Sequence, residues 1–572
     1  LKATLLMAVG AVALAGCVTA PALGNNTVGD YLSGRVAAGV NDIGGAADKY
    51  ASAAAAAGDD REALQKAFFY SLAAGRIAAA LPFADRLVAA DKTDGLARLT
   101  IAAARLKRGE LDAARAGLED DFNESFSKSI AFLAGVWIEA ERNGPQSALD
   151  ALGAAPDDVF KGFNPSVAAI LAEEIGDIDA ARAAHQLAFV SFAGPAGREA
   201  YGAFLERAGD EDAARGFYQL LREERGPARR VARAGLARLA AKTSSKAYFD
   251  LSASQGAAIA LYNFSGNILE QSAGERARAS EAGFNVGQPQ FTLPLALAQL
   301  SIYLDPDFAP ARQLAGSILG LYGNAGDARE ILASIKSSSP YYEQAQIEIA
   351  GSLASEERLD EAIALIRSAL RADRSSEEMH LTLAALYAAQ ELHKEAAGAA
   401  TKAIGLLDDS APKDAWRFYI SRAASLMELQ RWPEAQADLK KAVEIAPEEP
   451  TTLNYLGYSW AERGLNLEEA FNLIEKAMAL APNSGAIIDS LGWAHYQLGR
   501  YDEALPLLEK AAALEPADPT ITDHLGDVYA KLGRKAEAQF QWRRALELKP
   551  PVGVRAAIEK KLTDEPTPLS SG

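Results

Sequence analysis

The chain has 572 residues, 49% of them hydrophobic and 23% charged, which excludes wholesale disorder and leaves room for several domains or one long repeat array. Its 58 Lys+Arg against 76 Asp+Glu give a formal net charge of −18, without the basic footprint of a generic nucleic-acid binder. One cysteine and five histidines exclude an intramolecular disulfide framework and a Cys-rich metal site, and point away from catalysis toward an acidic, Ala-rich helical protein.

The first element reads as a targeting segment. Lys2 precedes an apolar stretch from Ala3 to Gly16, too short to span a bilayer and the right length for a signal-peptide core. It ends Leu14-Ala15-Gly16-Cys17, with small residues at the cleavage position and the chain's one thiol directly after them. This string resembles the lipobox of bacterial lipoproteins. The resemblance implies that residues 1–16 are removed and that Cys17 carries the lipid as the first mature residue. By the same resemblance, Val18 rather than Asp after the cysteine implies the outer membrane, with the protein lipid-anchored and facing the periplasm. Residues 17–42 are expected to form a lipidated flexible tether, polar from Thr19 to Asn26.

Residues 43–242 are periodic. Gly75, Gly109, Gly144, Gly176 and Gly209 are spaced 34, 35, 32 and 33 residues apart. Three of them open alike, as in Gly109-Glu110-Leu111-Asp112-Ala113-Ala114-Arg115, Gly176-Asp177-Ile178-Asp179-Ala180-Ala181-Arg182 and Gly209-Asp210-Glu211-Asp212-Ala213-Ala214-Arg215. Each is a tight turn, an acidic first helical turn facing the helix dipole, and a small-residue packing face. The reading is a divergent array of helix pairs. Residues 243–308 break the period, with helices predicted near Gly256–Gln271 and Phe291–Leu304. Between them lie the turn formers Ser272-Ala273-Gly274, Gly283, Gly287 and Pro289. This segment is expected to be one or two atypical repeats with a long loop, at the boundary between two arrays.

Residues 309–562 repeat most clearly. Ala328, Ala362 and Ala396 are 34 apart, as are Ala470, Ala504 and Ala538, then Ala477, Ala511 and Ala545, then Pro482, Pro516 and Pro550. Five extra residues enter around Asp408-Asp409-Ser410-Ala411-Pro412 and one near Gly464-Leu465-Asn466. Small residues belong where two helices cross closely, and the proline stops the second helix because it has no N–H to donate. These slots are similar to those of the tetratricopeptide repeat, two antiparallel helices in 34 residues. The resemblance implies seven repeats from about Ala309 to Pro550. The expected fold is all-α, a tetratricopeptide-repeat superhelical solenoid of about 12–14 helix pairs, with residues 563–572 a disordered tail.

Spacings that carry catalysis are absent: no His-Glu-x-x-His, Gly-x-Ser-x-Gly, phosphate-binding Gly-x-x-x-x-Gly-Lys or EF-hand loop occurs. No catalytic residue, metal ligand or cofactor is expected. The candidate site is a stripe on the first helix of successive repeats, the helix that lines the concave side of such solenoids. With the Gly slot as position eight, position five carries Asn454, Asp489 and Asp523, and position nine carries Tyr458, Trp493 and Asp527. Tyr496 and Lys531 extend it. Positions five and nine share a helical face, and the mix of amides, carboxylates and aromatics suits an extended peptide. The stripe lacks the Lys/Asn set with which some chaperone-associated repeats hold a peptide's terminal carboxylate. Trp493 and Tyr458 also read as packing between repeats.

Leu456-Gly457-Tyr458-Ser459, Ile488-Asp489-Ser490-Leu491-Gly492-Trp493, His524-Leu525-Gly526-Asp527 and Trp542-Arg543 resemble a narrower group, the bacterial outer-membrane tetratricopeptide lipoproteins. The similarity covers roughly the last 320 residues and is densest over the last 100. That group includes the adaptor of a periplasmic carboxyl-terminal processing protease. The resemblance implies a scaffold with protein partners, that protease and murein hydrolases among them, and a membrane contact through the lipid alone. The alternative is a component of an envelope secretion or polysaccharide or pilus biogenesis system.

Overall fold

The computed structural model describes residues 25–564 apart from residues 59, 120, 121, 123, 192, 193, 225, 282–290, 408–412 and 551. The signal segment, Cys17, the five-residue insertion at 408–412 and the tail beyond Asp564 lie outside the described residues. Thirty α-helices and no strand occur among the described residues, as an all-α repeat fold requires. None of these helices is long and apolar enough to cross a membrane.

One turn recurs along the chain. After the first helix of a pair the backbone enters the left-handed region, and two hydrogen bonds close the helix end. At Gly75 (φ 72°) the Gly75 N–H donates to Leu72 O at 2.9 Å and the Arg76 N–H to Ser71 O at 2.9 Å. The same pair of bonds closes the helix at Gly109, Gly176, Gly209, Gly323, Gly464, Gly499 and Gly533. Glycine meets this geometry without a side-chain clash, which is why the glycine spacing reports the repeat. Asn41 (φ 60°), Glu391 (φ 60°) and Gln430 (φ 59°) make the same turn without glycine.

Asn41 corrects the expected tether. It lies one period before Gly75 and closes a helix, Asn25–Gly39, that the sequence assigned to flexible chain. This helix packs on Ile43–Ala56 through Gly34, where a Cβ would stand 3.0 Å from the Tyr50 ring. Gly202 against Tyr218, Gly316 against Leu332, Gly492 against Leu508 and Gly526 against Trp542 repeat this relationship sixteen residues on. Among the described residues the array therefore starts at Asn25, and the described part of the tether, residues 25–42, is the first helix and turn of its first pair.

The chain forms two compact units, Leu1–Glu357 and Arg358–Gly572. The first is more than a linear stack. Its main core joins residues from Ile43 to Leu171 with residues from Ala253 to Ala328, while Ala172 to Leu239 contribute a second cluster. The segment expected to be an array boundary lies inside that core. Helix Ala253–Glu281 runs straight through Ser272-Ala273-Gly274, so those residues are helical rather than loop. It crosses helix Ser125–Asn143 so closely that a Cβ on Gly256 would fall 2.1 Å from the Trp137 ring. Helix Thr292–Leu304 is buried on nearly every side, as its apolar run Leu295–Leu300, interrupted only by Gln299, demands. Ser265 and Ser301 donate their hydroxyls to Pro294 O and Ala258 O at 2.7 Å, pinning the two helices together. Asn324 Nδ2 reaches Asn41 O at 2.7 Å across 283 residues, tying the last pair of this unit to the first.

The second unit is a plain succession. Helix Leu359–Ala372 leads, and five helix pairs follow: Glu377–Ala389 with His393–Gly405, Trp416–Glu428 with Trp432–Ile445, Pro450–Glu462 with Leu467–Leu480, Gly485–Gln497 with Tyr501–Leu514, and Pro519–Lys531 with Lys535–Glu547. Helix Val552–Asp564 ends it, so residues 563 and 564 of the expected tail are helical. Of the seven expected repeats, the first (Ala309–Leu321 with Ala325–Ala333) belongs to the first unit, and the helices of the next fall in different units. Ala396, Ala435, Ala470, Ala504 and Ala538 are all fully buried, as the 34-residue slot predicts.

Candidate functional site

The candidate stripe sits on helices Pro450–Glu462, Gly485–Gln497 and Pro519–Lys531. Each starts at a residue whose side chain caps free N–H groups. Glu449 accepts from Thr451 N, Ser484 from Ile487 N, and Asp518 from Thr520 N and Ile521 N. Equal starts keep the three helices in register, so positions five and nine of successive repeats come side by side.

The stripe divides in two. In its C-terminal part the side chains are satisfied internally. Lys561, from the last helix, donates to both Asp523 oxygens at 2.8 and 2.9 Å and to Asp527 Oδ2 at 2.7 Å. Asp527 Oδ1 also accepts from Trp542 Nε1 at 3.0 Å. Burial and the neighbouring Asp527 carboxylate push Asp523 above the usual carboxylate range despite Lys561. Lys531 is exposed and stands apart from this cluster.

In the middle, Asp489 and His524 form a buried pair, with both carboxylate oxygens 3.0 Å from His524 Nδ1. Burial alone would pull the imidazole down; Asp489, helped by Asp523 and Asp527, more than reverses this and holds His524 above its ordinary value. Trp493 stacks on His524 at 4.0 Å between ring centroids and on Tyr496 at 4.5 Å, forming a three-ring pile. Trp493 is only 9% exposed, so it packs between repeats. Burial also lifts the Tyr496 phenol to about 12.

The N-terminal part is open. Asn454, Tyr458 and Asp489 line a groove of about 800 Å³ together with Trp432, Tyr455, Glu462, Arg463 and Asp518. Asn454 Oδ1 is buried there without a hydrogen-bond partner. Arg463 lies over the Trp432 ring. Burial pushes Tyr458 and Glu462 upward from their ordinary values. A wall of aromatic faces with an unsatisfied amide and carboxylates is suited to holding an extended chain by its backbone and side chains.

The sequence reading missed His524 and Lys561, and also the groove residues Trp432, Tyr455, Glu462, Arg463 and Asp518. His524 lies thirty-five residues after Asp489, one more than the period, so position six of one repeat meets position five of the one before it. That offset was available as a signal. Lys561 lies past the last pair, where the period says nothing. Among the described residues no group of three or more His, Cys, Asp or Glu is placed to hold a metal ion. The first unit has a separate cavity of about 460 Å³, lined by His185, Tyr248, Tyr262, Asn263 and Glu270 among others. Burial lowers His185 to about 4 there.

The tetratricopeptide repeat model matches residues 347–415 and 490–552, so the chain carries tetratricopeptide repeats. The TPR repeat-containing protein PA4667 of Pseudomonas aeruginosa is 39% identical over 67 residues, a stretch that is 12% of this chain and 11% of that relative. The chain thus matches about a ninth of that protein's length. The crystal structure of the APC/C hetero-tetramer Cut9–Hcn1 aligns over 88% of this chain and 96% of its own at 16% identity, with a TM-score of 0.38. Yeast Tom70 aligns over 94% and 95% at 13% identity, with a TM-score of 0.33.

Proposed function

We propose that this chain is a scaffold, lipid-anchored at Cys17 to the outer membrane and facing the periplasm, that binds protein partners through its tetratricopeptide array. Its partners are a carboxyl-terminal processing protease and the murein hydrolases that the protease degrades, and the scaffold links them without chemistry of its own. The observation that carries the protein-binding reading is the open groove around Asn454, Tyr458 and Asp489. The similarity of residues 453–548 to outer-membrane tetratricopeptide lipoproteins supports the narrower identity. Co-localisation is sufficient for such a role, since tethering raises the local concentration of whatever is bound.

The test is binding of the purified protease to the intact protein and to an Asn454→Ala, Tyr458→Ala double variant, with helicity and melting matched. Central aromatic anchors dominate interface energies, so the variant is expected to bind at least tenfold more weakly and to lose stimulation of hydrolase degradation. Unchanged binding by the folded variant would remove the groove from the interface. No binding by the intact protein would remove the protease as partner. Hydrolysis of a murein substrate by the purified protein alone would overturn the non-catalytic reading.

A further inference from the structure

Helix Asn25–Gly39 has one satisfied face and one bare face. Its inner face packs on helix Ile43–Ala56 through Thr27, Gly34 and an edge-on contact of Tyr31 with Tyr50 at 5.5 Å. Asp30 faces the same helix, accepting from Ser52 Oγ at 2.6 Å and Lys49 Nζ at 3.3 Å. The outer face carries Val28, Leu32 and Val36 at a spacing of four, with Val40 following in the turn just past the helix end, exposed to 37%, 51%, 63% and 69%. Such a stripe on a helix marks an interface with something apolar.

We propose that this outer face lies against the lipid surface that holds Cys17. The inference rests on the anchoring reading above and goes beyond it, because an acyl anchor alone leaves the orientation of the folded part open. Two observations favour lipid over another occupant. The first is reach. Asn25 is eight positions beyond Cys17, and a fully extended chain of that length spans at most about 28 Å, so the helix cannot leave the neighbourhood of the headgroups. The second is charge. In a chain of net charge −18, residues 25–40 hold two charged side chains. Asp30 is turned inward to Lys49 and Ser52, which leaves Arg35 exposed beside the apolar stripe. An apolar face with a cation and no carboxylate is what a phosphate-bearing interface accepts, the apolar side chains entering the acyl boundary and the guanidinium meeting phosphate.

The lipidated full-length protein provides the test, because acylation of Cys17 consumes the chain's one thiol. Leu32→Cys or Val36→Cys then gives a unique site for an environment-sensitive NBD label. The protein is reconstituted in vesicles of phosphatidylethanolamine and phosphatidylglycerol. Docking is expected to give a several-fold rise in emission with a blue shift, quenched by headgroup-quencher lipid. Val28→Asp with Val36→Asp is expected to abolish the Leu32→Cys signal while the protein still floats with the vesicles. A water-exposed label on floating protein would overturn the docking and leave the anchor standing. Failure to float would overturn the anchor and the docking with it. A blue shift that follows protein density and ignores the lipid quencher would assign the face to a second copy and overturn the proposal.

Discussion

The carboxylate of Asp489 grips His524 from the preceding repeat, with both oxygens 3.0 Å from Nδ1, and the Trp493 ring covers the imidazole at 4.0 Å. Two repeats are therefore joined by a buried, charge-assisted bond roofed by an aromatic stack. Removing one member of such a pair leaves the other desolvated. Asp489→Ala is expected to destabilise the second unit by about 3 kcal/mol. His524→Phe, which keeps a ring under Trp493, leaves Asp489 buried without its partner and is expected to cost a similar amount. Denaturant unfolding of both variants and their double mutant measures the coupling.

The same pair gives a pH dependence with a definite sign. His524 is held above its ordinary value of 6.5 in the folded protein. Its contribution to stability is therefore fully present below about 6.5 and is lost as pH rises through the folded-state value. Melting of the parent and of His524→Gln across pH 5 to 9 is expected to differ most at the acid end and to converge toward the alkaline end. A constant difference would argue against a protonated imidazole.

Lys561 is the counter-ion for two carboxylates at once, Asp523 and Asp527. Lys561→Met keeps the stem and removes the charge, leaving two adjacent acids facing each other. A cost of roughly 2 kcal/mol is expected, weighted to the end of the array because repeats couple to their neighbours. Hydrogen exchange is expected to quicken in helices Pro519–Lys531 and Lys535–Glu547 and to change little in helix Glu377–Ala389.

Two positions of the repeat, one at the left-handed turn and one inside a helix, make opposite predictions. Gln430 adopts φ 59° with a side chain that disfavours it, so Gln430→Gly is expected to stabilise by about 1 kcal/mol. At Gly526 the backbone is helical and the constraint is space. An added Cβ would stand 2.6 Å from Trp542, so Gly526→Ala is expected to cost about 2 kcal/mol through overpacking. Thermal melting of the two variants decides both signs.

The repeat was legible because its slots are steric. Alanines such as Ala470 and Ala504 are fully buried, and glycines such as Gly457 and Gly492 face the partner helix at distances no side chain fits. The first repeat was not legible, because Asn41 makes the turn that glycine makes elsewhere and the helix before it has a polar start. Ser272-Ala273-Gly274 reads as a turn locally, yet helix Ala253–Glu281 continues through it, anchored against Trp137 and Phe163 further back. In the candidate site, register placed Asn454, Tyr458 and Asp489 side by side on one groove. It was silent on how Asp523 and Asp527 are satisfied, because their cation comes from a helix outside the period.

The turns at Glu391 and Gln430 hold a left-handed backbone without glycine, whereas Gly499 and Gly533 hold it freely. Each non-glycine turn costs about 1–2 kcal/mol, and in a linear array such costs stay local. Pulled from its two ends, the second unit should therefore yield first between Glu377 and Ile445 and pay out slack there. Trp432, which follows one of these turns, also lines the groove, so a load that opens the turn would strip one wall from the groove while the helices carrying Asn454 and Tyr458 stay folded.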